Sequence, residues 1–553
     1  MRIGAMLAVV TLAIANAAAR ADDVRLVDVT ERTGIDFRHR LGSAEKDWIA
    51  EVNGGGVALL DYDADGDLDI YLVNGGIWAP DAGERKPRNA LFRNEGSWRF
   101  TDVTKSAGVG DDGWGSGVAV ADVDNDGDLD LYVTNRGPNV LYLNQGDGAF
   151  VMARDCGAED PRWSTAASFA DFNGDGLVDL YVANYIEFER DSSKRRGISS
   201  CSYKGQPIFC GPGGLDPSPD SLFLNLGKGK FRDVSREWGV RTPKASYGLG
   251  TLVVDVDRDG FPDVVVANDT RPNSCFLNQR GRRFLEGGLF LGIAYNDYGV
   301  AQAGMGLASA DLRGVGRDDL FVTNFEDDTN TLYRAEGEQL FVESTYAAGL
   351  GASSYRFLGW GTFFFDADGD TDLDLFVANG HVAPQVDKVR GSVGYRQRNQ
   401  LFLAGEKGRF VESLASMPGE SESPRCSRGA AFGDLDGDGD PDVVVSNIDD
   451  RPTILENLVR GRWVEVRLRG VRSNRAAIGA RVVLTVQGRR QERTIQSGMS
   501  WASQCELSAR FGLGGATATD ALRVIWPGGQ VESFPAPRAG QVVTLVEGSG
   551  ESR

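Results

Sequence analysis

The sequence reads as an all-β chain: a seven-bladed β-propeller followed by a small C-terminal all-β domain. Three observations lead there. An acidic nine-residue loop recurs seven times, starting at Asp61, Asp122, Asp171, Asp255, Asp311, Asp366 and Asp434. Short apolar runs flank each copy, such as Val57-Ala-Leu-Leu60 before the first and Ile70-Tyr-Leu-Val73 after it, and their composition is that of strands. A second signature then follows, as in Asn89-Ala-Leu-Phe-Arg-Asn94 with Phe100-Thr-Asp-Val103, and it echoes at Asn139, Asp220, Asn273, Asn330 and Asn399. Four strands per repeat, repeated seven times, describe blades stacked around an axis with no long open sheet edge.

In chain order, residues 1–21 have the form of a secretory signal. Arg2 precedes an apolar run from Ala5 to Ala15, and Ala19-Arg-Ala21 has a small-x-small cleavage pattern. Residues 22–458 are assigned to the propeller. Arg25-Leu-Val-Asp-Val-Thr30 echoes the last strand of a repeat, whereas the seventh repeat lacks that strand after Pro452-Thr-Ile-Leu-Glu-Asn457. The N-terminal strand is therefore expected to complete the last blade and latch the ring.

The loops carry the chemistry. Counting the first Asp as position 1, position 9 is Asp in all seven copies and position 14 is Asn in all seven. Hard cations such as calcium take roughly six to eight oxygen ligands, and a tight turn can aim alternate side chains inward. Positions 1, 3, 5 and 9 supply carboxylates and position 7, which varies freely, a backbone carbonyl alone. The expected metal residues are Asp61, Asp63, Asp65, Asp67 and Asp69 in loop one and Asp122, Asp124, Asp126, Asp128 and Asp130 in loop two. Loop three offers Asp171, Asn173, Asp175, Leu177 and Asp179, and loop four Asp255, Asp257, Asp259, Phe261 and Asp263. Loop six offers Asp366, Asp368, Asp370, Asp372 and Asp374, and loop seven Asp434, Asp436, Asp438, Asp440 and Asp442. Loop five has Arg313 and Val315 at positions 3 and 5, so it is expected to be a metal-free turn. That gives about six calcium sites. Position 6 is Gly in six copies, because the turn there favours positive φ; loop six strains a β-branched Thr371 into the same place. An EF-hand is excluded, since its closing Glu at position 12 is replaced by Leu or Val in every copy.

Charge supports this division. The chain of 553 residues has a net charge of −20, yet the seven loops alone carry −27 and the remainder +7. Acidity is thus concentrated at the metal loops, where crowded carboxylates repel without metal. Metal binding should be coupled to folding. An acidic, exported chain argues against nucleic-acid binding. Two histidines, His39 and His381, make His-based catalysis or zinc chemistry poor readings, and His381 is read as a loop hydrogen-bonding residue.

Six cysteines in an exported chain suggest disulfides, and the pairing Cys201–Cys210 is favoured by proximity inside the longest inter-loop gap. That gap, about Tyr185 to Pro219, is read as a decorated insertion, including the basic run Lys194-Arg-Arg196. Residues 459–548 hold 13 Arg, no Lys and six acids, with strand-like runs at Trp463–Leu468, Ala480–Val486, Leu522–Trp526 and Val542–Val546. This small β domain is expected to dock its positive charge on the acidic propeller. Residues 549–553 are read as a tail.

Two sets of motifs carry a resemblance. Gly55-Gly-Val57 through Asn74-Gly75, with its copies, resembles FG-GAP/VCBS repeats of the integrin α type. Ser473-Asn-Arg475, Ile478-Gly-Ala-Arg481, Ser497-Gly498, Ser503-Gln504, Phe511-Gly-Leu-Gly514 and Trp526-Pro-Gly-Gly529 resemble the ASPIC/UnbV domain. The combination is similar to the cartilage-acidic-protein-like family. The resemblance implies a secreted, calcium-binding interaction protein and brings no enzymatic activity. The expected function is a secreted or periplasmic calcium-stabilised scaffold that binds an extracellular or envelope protein or glycan. The alternative is a calcium-stabilised propeller enzyme acting on glycans or esters, which acid pairs outside the loops would have to serve. No later segment reaches about 18 apolar residues, so no transmembrane segment is expected.

Overall fold

A computed structural model describes residues 25–78, 85–188, 201–241, 245–337, 339–405 and 408–552. The secretory-signal segment and the basic run at 194–196 lie outside the described residues.

The strand-forming runs pair as four-stranded antiparallel sheets, most of them built from consecutive segments. Among the described residues there are seven such sheets. Their first strands are Val57–Leu60, Gly115–Ala121, Ser164–Ala170, Gly248–Val254, Leu307–Ala310, Gly359–Phe365 and Ser427–Gly433. Each first strand packs on the first strand of the next sheet, and that of the last sheet packs on that of the first. The molecule is thus all-β and propeller-like, with sheets arranged in a closed circle of contacts. Apolar residues from adjacent sheets fill the spaces between them, as where Tyr71, Val118 and Leu131 meet in one cluster.

The seventh sheet takes its outermost strand from the other end of the chain. Leu26–Asp28 pairs antiparallel with Thr453–Asn457, Leu26 opposite Asn457. The register at the acidic loops is the same throughout: the residue before position 1 pairs with the position-9 Asp, as in Leu60 with Asp69, Ala121 with Asp130 and Gly433 with Asp442. Every loop therefore spans the same turn at the same end of its sheet.

The C-terminal segment forms two further sheets. One joins Ala509–Gly512, Trp463–Arg469 and Gln541–Val546, the last two strands running parallel. The other orders Arg489–Thr494, Arg481–Val486, Ala521–Ile525, Val531–Phe534 and Glu551–Ser552. Within the segment read as a tail, Glu551 and Ser552 pair with Ser533 and Glu532. The strand Arg489–Thr494 has no apolar alternation, which is why its sequence gave no strand signal.

Cys201 and Cys210 are joined by a disulfide that closes the hairpin Cys201–Tyr203/Gln206–Ile208. Cys156, Cys275, Cys426 and Cys505 are buried free thiols.

Candidate metal centres and the domain seated on them

Each loop is bent by two left-handed residues. Position 6 has positive φ in every copy, including Thr371 at +88°. Position 4 does as well, although it is Ala64, Asn125 and Arg258 in three loops, each near +59°. The sequence reading found the first of these and missed the second, because only four of the seven position-4 residues are glycine.

This bend turns backbone N–H groups onto the carboxylates. In loop one, Asp65 and Gly66 donate their N–H groups to Asp61 at 3.1 and 3.0 Å, and Asp67 donates to Asp65 at 3.0 Å. The position-9 Asp works differently. Asp69 Oδ2 accepts the Tyr62 N–H at 3.1 Å, and its Oδ1 accepts the N–H of Asn94 on the third strand at 2.8 Å. The third-strand bond recurs at Asp130, Asp179, Asp263, Asp319, Asp374 and Asp442. Position 9 is therefore a backbone fastener in every sheet, whether or not its loop can hold a metal.

In five loops, carboxylate oxygens from three residues lie within 4.8 Å of one another. These are Asp61, Asp63 and Asp69; Asp122, Asp124 and Asp130; Asp255, Asp257 and Asp259; Asp366, Asp368 and Asp374; and Asp434, Asp436 and Asp442. Buried oxygens of Asp63, Asp124 and Asp255 have no hydrogen-bond partner. Oxygen donors converging with partners missing fit a hard cation, which would be held by the acids of each group. Such a cation would offset the repulsion between the carboxylates of each group. Loop three forms no such group of three acids. Asn173 there donates to Asp175 at 2.8 Å, and the Leu177 N–H donates to Asp175 at 2.9 Å.

Burial sets the electrostatics of the metal-free loops. It pushes Asp69 and Asp130 up to about 8 against the pull of their backbone donors, with neighbouring carboxylates adding to the rise. Asp122 is pushed to about 7 and Asp368 to about 7 for the same first reason. Asp440, at position 7, is raised to about 10 by burial and then by the other four acids of its loop, and both of its oxygens lack partners. The side chain at position 7 is buried there, so this position is not a backbone-only contributor in loop seven.

Loop five carries its own cations. Arg313 Nη2 lies 3.1 Å from Asp319, and Arg490 of the C-terminal domain places Nη1 2.6 Å from Asp311.

Arg490 is one of many contacts from above. The C-terminal domain sits directly on the loop end of the ring. Trp463 donates its indole N–H to the Asp438 carbonyl at 3.0 Å, and Arg510, almost fully buried, lies 3.2 Å from Asp434. Arg489 pairs with Asp372, Gly514 donates to the Gly369 carbonyl at 2.8 Å, and Arg475 donates its backbone N–H to Asn125 at 2.9 Å. The arginine-rich composition therefore serves docking on acidic turns.

From this seat, Gln496–Glu506 runs into the axis of the ring. Gln504 exchanges backbone hydrogen bonds with Val57 and Leu59, Ser500 with Leu307, and Ala502 accepts from Val118. The Gly498 carbonyl accepts from Ser168 Oγ, Gln496 donates to the Val253 carbonyl, Ser500 Oγ accepts the Thr362 N–H, and Glu506 donates to the Phe432 carbonyl. Every sheet thus bonds to one inserted segment. Gly56 and Gly117 let it approach: a Cβ on either would lie 2.3 or 2.8 Å from the Ala502 carbonyl oxygen. Trp501 is fully buried with its ring edge-on to Trp360 at 4.7 Å, and Arg428 stacks on Trp360 at 4.1 Å. Ser497-Gly498 and Ser503-Gln504 were quoted as motifs, but no local signal in them gives an axial position.

The opposite end of the ring holds the disulfide hairpin, which follows the second strand of its sheet. Lys204 at its tip lies 2.5 Å from Glu326 and 2.8 Å from Asp327. His381 accepts the Ala383 N–H on Nδ1 at 3.0 Å, as expected of a loop histidine, and burial lowers it to about 3.

Comparison with known proteins gives a consistent picture. The model of the FG-GAP-like repeat matches residues 61–133, 122–182 and 208–266, and that of ASPIC and UnbV matches 470–552. Cartilage acidic protein 1 of Mus musculus is 26% identical over 502 residues, covering 86% of this chain and 71% of that protein. That of Xenopus tropicalis is 25% identical over 86% of this chain, which spans 61% of its length, and that of Homo sapiens is 28% identical over 62% of this chain, half of its length. A solved Agrocybe aegerita lectin recognising terminal N-acetylglucosamine aligns with a TM-score of 0.38 at 16% identity, covering 72% of this chain and 86% of that one. Among the described residues, no helix is long and apolar enough to cross a membrane. The chain is built of FG-GAP-like repeats and an ASPIC and UnbV domain, and its relatives are cartilage acidic proteins, the family its two sets of motifs resemble.

Proposed function

We propose that the chain is an exported, calcium-stabilised seven-bladed propeller, residues 22–458, that serves as an adhesion or interaction scaffold for a protein or glycan partner. Calcium is proposed at loops one to four, six and seven. The observation that carries the reading is the seat of the C-terminal domain, residues 459–548. It seats on the loop end and fills the axis, so the metals lie beside the seam between two parts of one chain and serve rigidity. The end that carries the disulfide hairpin is left to meet a partner. The names of the relatives, cartilage acidic proteins, support an extracellular setting.

The test is a pull-down from extracellular or envelope extracts with immobilised full chain, in calcium and in chelator. Capture of one protein or glycan in calcium, lost on replacing Tyr203 and Lys204 of the hairpin, is the expected result. Capture that is unaffected by the hairpin changes would refute the assignment of the face.

A further inference from the structure

A cavity of about 610 Å3 lies between the third and fourth loops of the ring and the C-terminal domain. Asp171, Asn173 and Phe261 form its ring side, and Trp526-Pro-Gly-Gly529 and Gln530 its far side. Ligand-binding clefts are typically about 300–1,000 Å3, with apolar walls and a few placed polar groups. The Trp526-Pro-Gly-Gly529 motif is otherwise without a role in the fold's contacts with the ring.

Four arginines line this cavity: Arg258, Arg317, Arg472 and Arg481. Two already have partners. Arg472 Nε is 3.4 Å from Glu547, and Arg481 Nη1 is 3.4 Å from Glu492. The other two have no carboxylate partner among the described residues. Arg317 reaches the Val256 carbonyl at 3.4 Å with Nη2, and its Nη1 is buried with no hydrogen-bond partner. Arg258 is exposed, on the left-handed fourth position of its loop. The two are near one another: burial lowers Arg317 from its ordinary value, and the Arg258 charge lowers it further. Arg258 Nη2 comes within 3.2 Å of the Cβ position of Gly316, the residue before Arg317, where Arg490 Nη2 also reaches to 3.0 Å.

Arg313 and Arg490 already face Asp319 and Asp311 of loop five, while its third acid, Asp318, also lines this cavity and takes a hydrogen bond from Ser309. Two guanidiniums held close without a carboxylate repel one another. Each offers a planar fork of donors that matches a carboxylate, sulfate or phosphate group. We propose that this cavity binds a small organic anion whose oxyanion group sits between Arg258 and Arg317. Phe261 and Pro262 offer an apolar wall to its carbon body. The cavity also receives Asp171, Asp255 and Asp259 of the metal loops. Their negative charge would oppose an anion unless cations neutralise it, so the metal-loaded protein is the binding form, and in this the proposal rests on the calcium reading above.

The test is isothermal titration of the full chain in calcium with glucuronate, sulfate and, as the uncharged control, glucose. Calcium loading is verified first from the rise in melting temperature, so that failed loading and failed anion binding are read separately. Binding of glucuronate, with or without sulfate, is expected, and glucose should not bind. Arg258→Gln and Arg317→Gln should each weaken it by about tenfold or more, as loss of a charge-assisted hydrogen bond does. Arg99→Gln, an exposed change on the first sheet, should leave it unaltered. Arg258 is exposed, and no ion pair or hydrogen bond holds it among the described residues, so its variant should fold whatever happens to Arg317. No anion binding to loaded protein, equal binding of glucose, or unchanged binding in both variants would overturn the proposal.

Discussion

Truncating Gln504 should cost more than any other single change in the C-terminal domain. Its side chain is fully buried at the axis. The Oε1 atom accepts the Gly498 N–H at 2.8 Å and the Val120 N–H at 3.4 Å. The Nε2 atom donates to the Gln496 and Cys505 carbonyls at 3.1 and 2.7 Å. Gln504→Ala leaves all four backbone groups without these bonds, and a buried unsatisfied group costs about 1–3 kcal/mol. Taking the 3.4 Å contact as weak and allowing partial relaxation, the loss is about 3–5 kcal/mol, a large fraction of the usual 5–15 kcal/mol of a domain. Gln504→Glu keeps both acceptors but buries a charge and unpairs two carbonyls, so it should be no milder. The assay is urea unfolding in calcium, followed by tryptophan fluorescence, with Trp501 against Trp360 reporting on the axis. A Gln504→Ala protein within about 0.5 kcal/mol of the parent would refute the idea that the inserted segment holds the ring.

Further outcomes follow from the loops and the hairpin. Chelation should lower the melting temperature, and the chelated protein should become less stable as pH rises. Asp69 and Asp130 titrate at about 8 when metal-free, above the roughly 3.9 of an unfolded chain. The folded state then binds more protons than the unfolded one, so stability falls between about pH 4 and about pH 8; a flat profile in calorimetry would contradict this. Calcium binding at pH 7 should release protons from these same acids, read as a dependence of the titration heat on buffer ionisation enthalpy. Asp319→Ala should destabilise by about 2–4 kcal/mol through loss of the Ala335 and Arg313 bonds, with calcium stoichiometry by atomic absorption unchanged; a lost ion would place a metal in loop five. Replacing Cys201 and Cys210 by Ser should cost about 2–3 kcal/mol of hairpin stability for so short a loop, seen as faster proteolysis near Lys204.

The repeat, its strands and the chain-end pairing were legible because each leaves a local trace. Apolar alternation marks a strand, a fixed Asp marks a turn, and a missing fourth strand at one end matches a spare one at the other. The axial segment leaves no such trace. Ser500 meets Leu307, and Gln504 meets Val57, across hundreds of residues, and polar Ser, Gly and Gln in a row read as an ordinary loop. The strand Arg489–Thr494 was missed for a related reason: its outward residues face acidic turns rather than water, so arginine stands where alternation would place a neutral polar residue.

The position-9 Asp shows how one residue type can carry two messages. Its presence in all seven loops reads as metal ligation, yet Asp319 makes the same third-strand bond in a loop where it pairs with Arg313 and Asp311 pairs with Arg490. What position 9 counts is sheets. The loops differ in the acids they could offer a cation at positions 3 and 5, where loop five carries Arg313 and Val315 and loop three carries Asn173. A related division holds between sheets. Asn94, Asn144, Asn225, Asn278 and Asn457 each donate to the position-2 carbonyl of the preceding loop. In the fifth sheet that asparagine is Ala335, and Arg317 reaches the Val256 carbonyl instead. Placing acids at positions 3 and 5 of loop five alone should not create an ion site while Arg490 still pairs with Asp311.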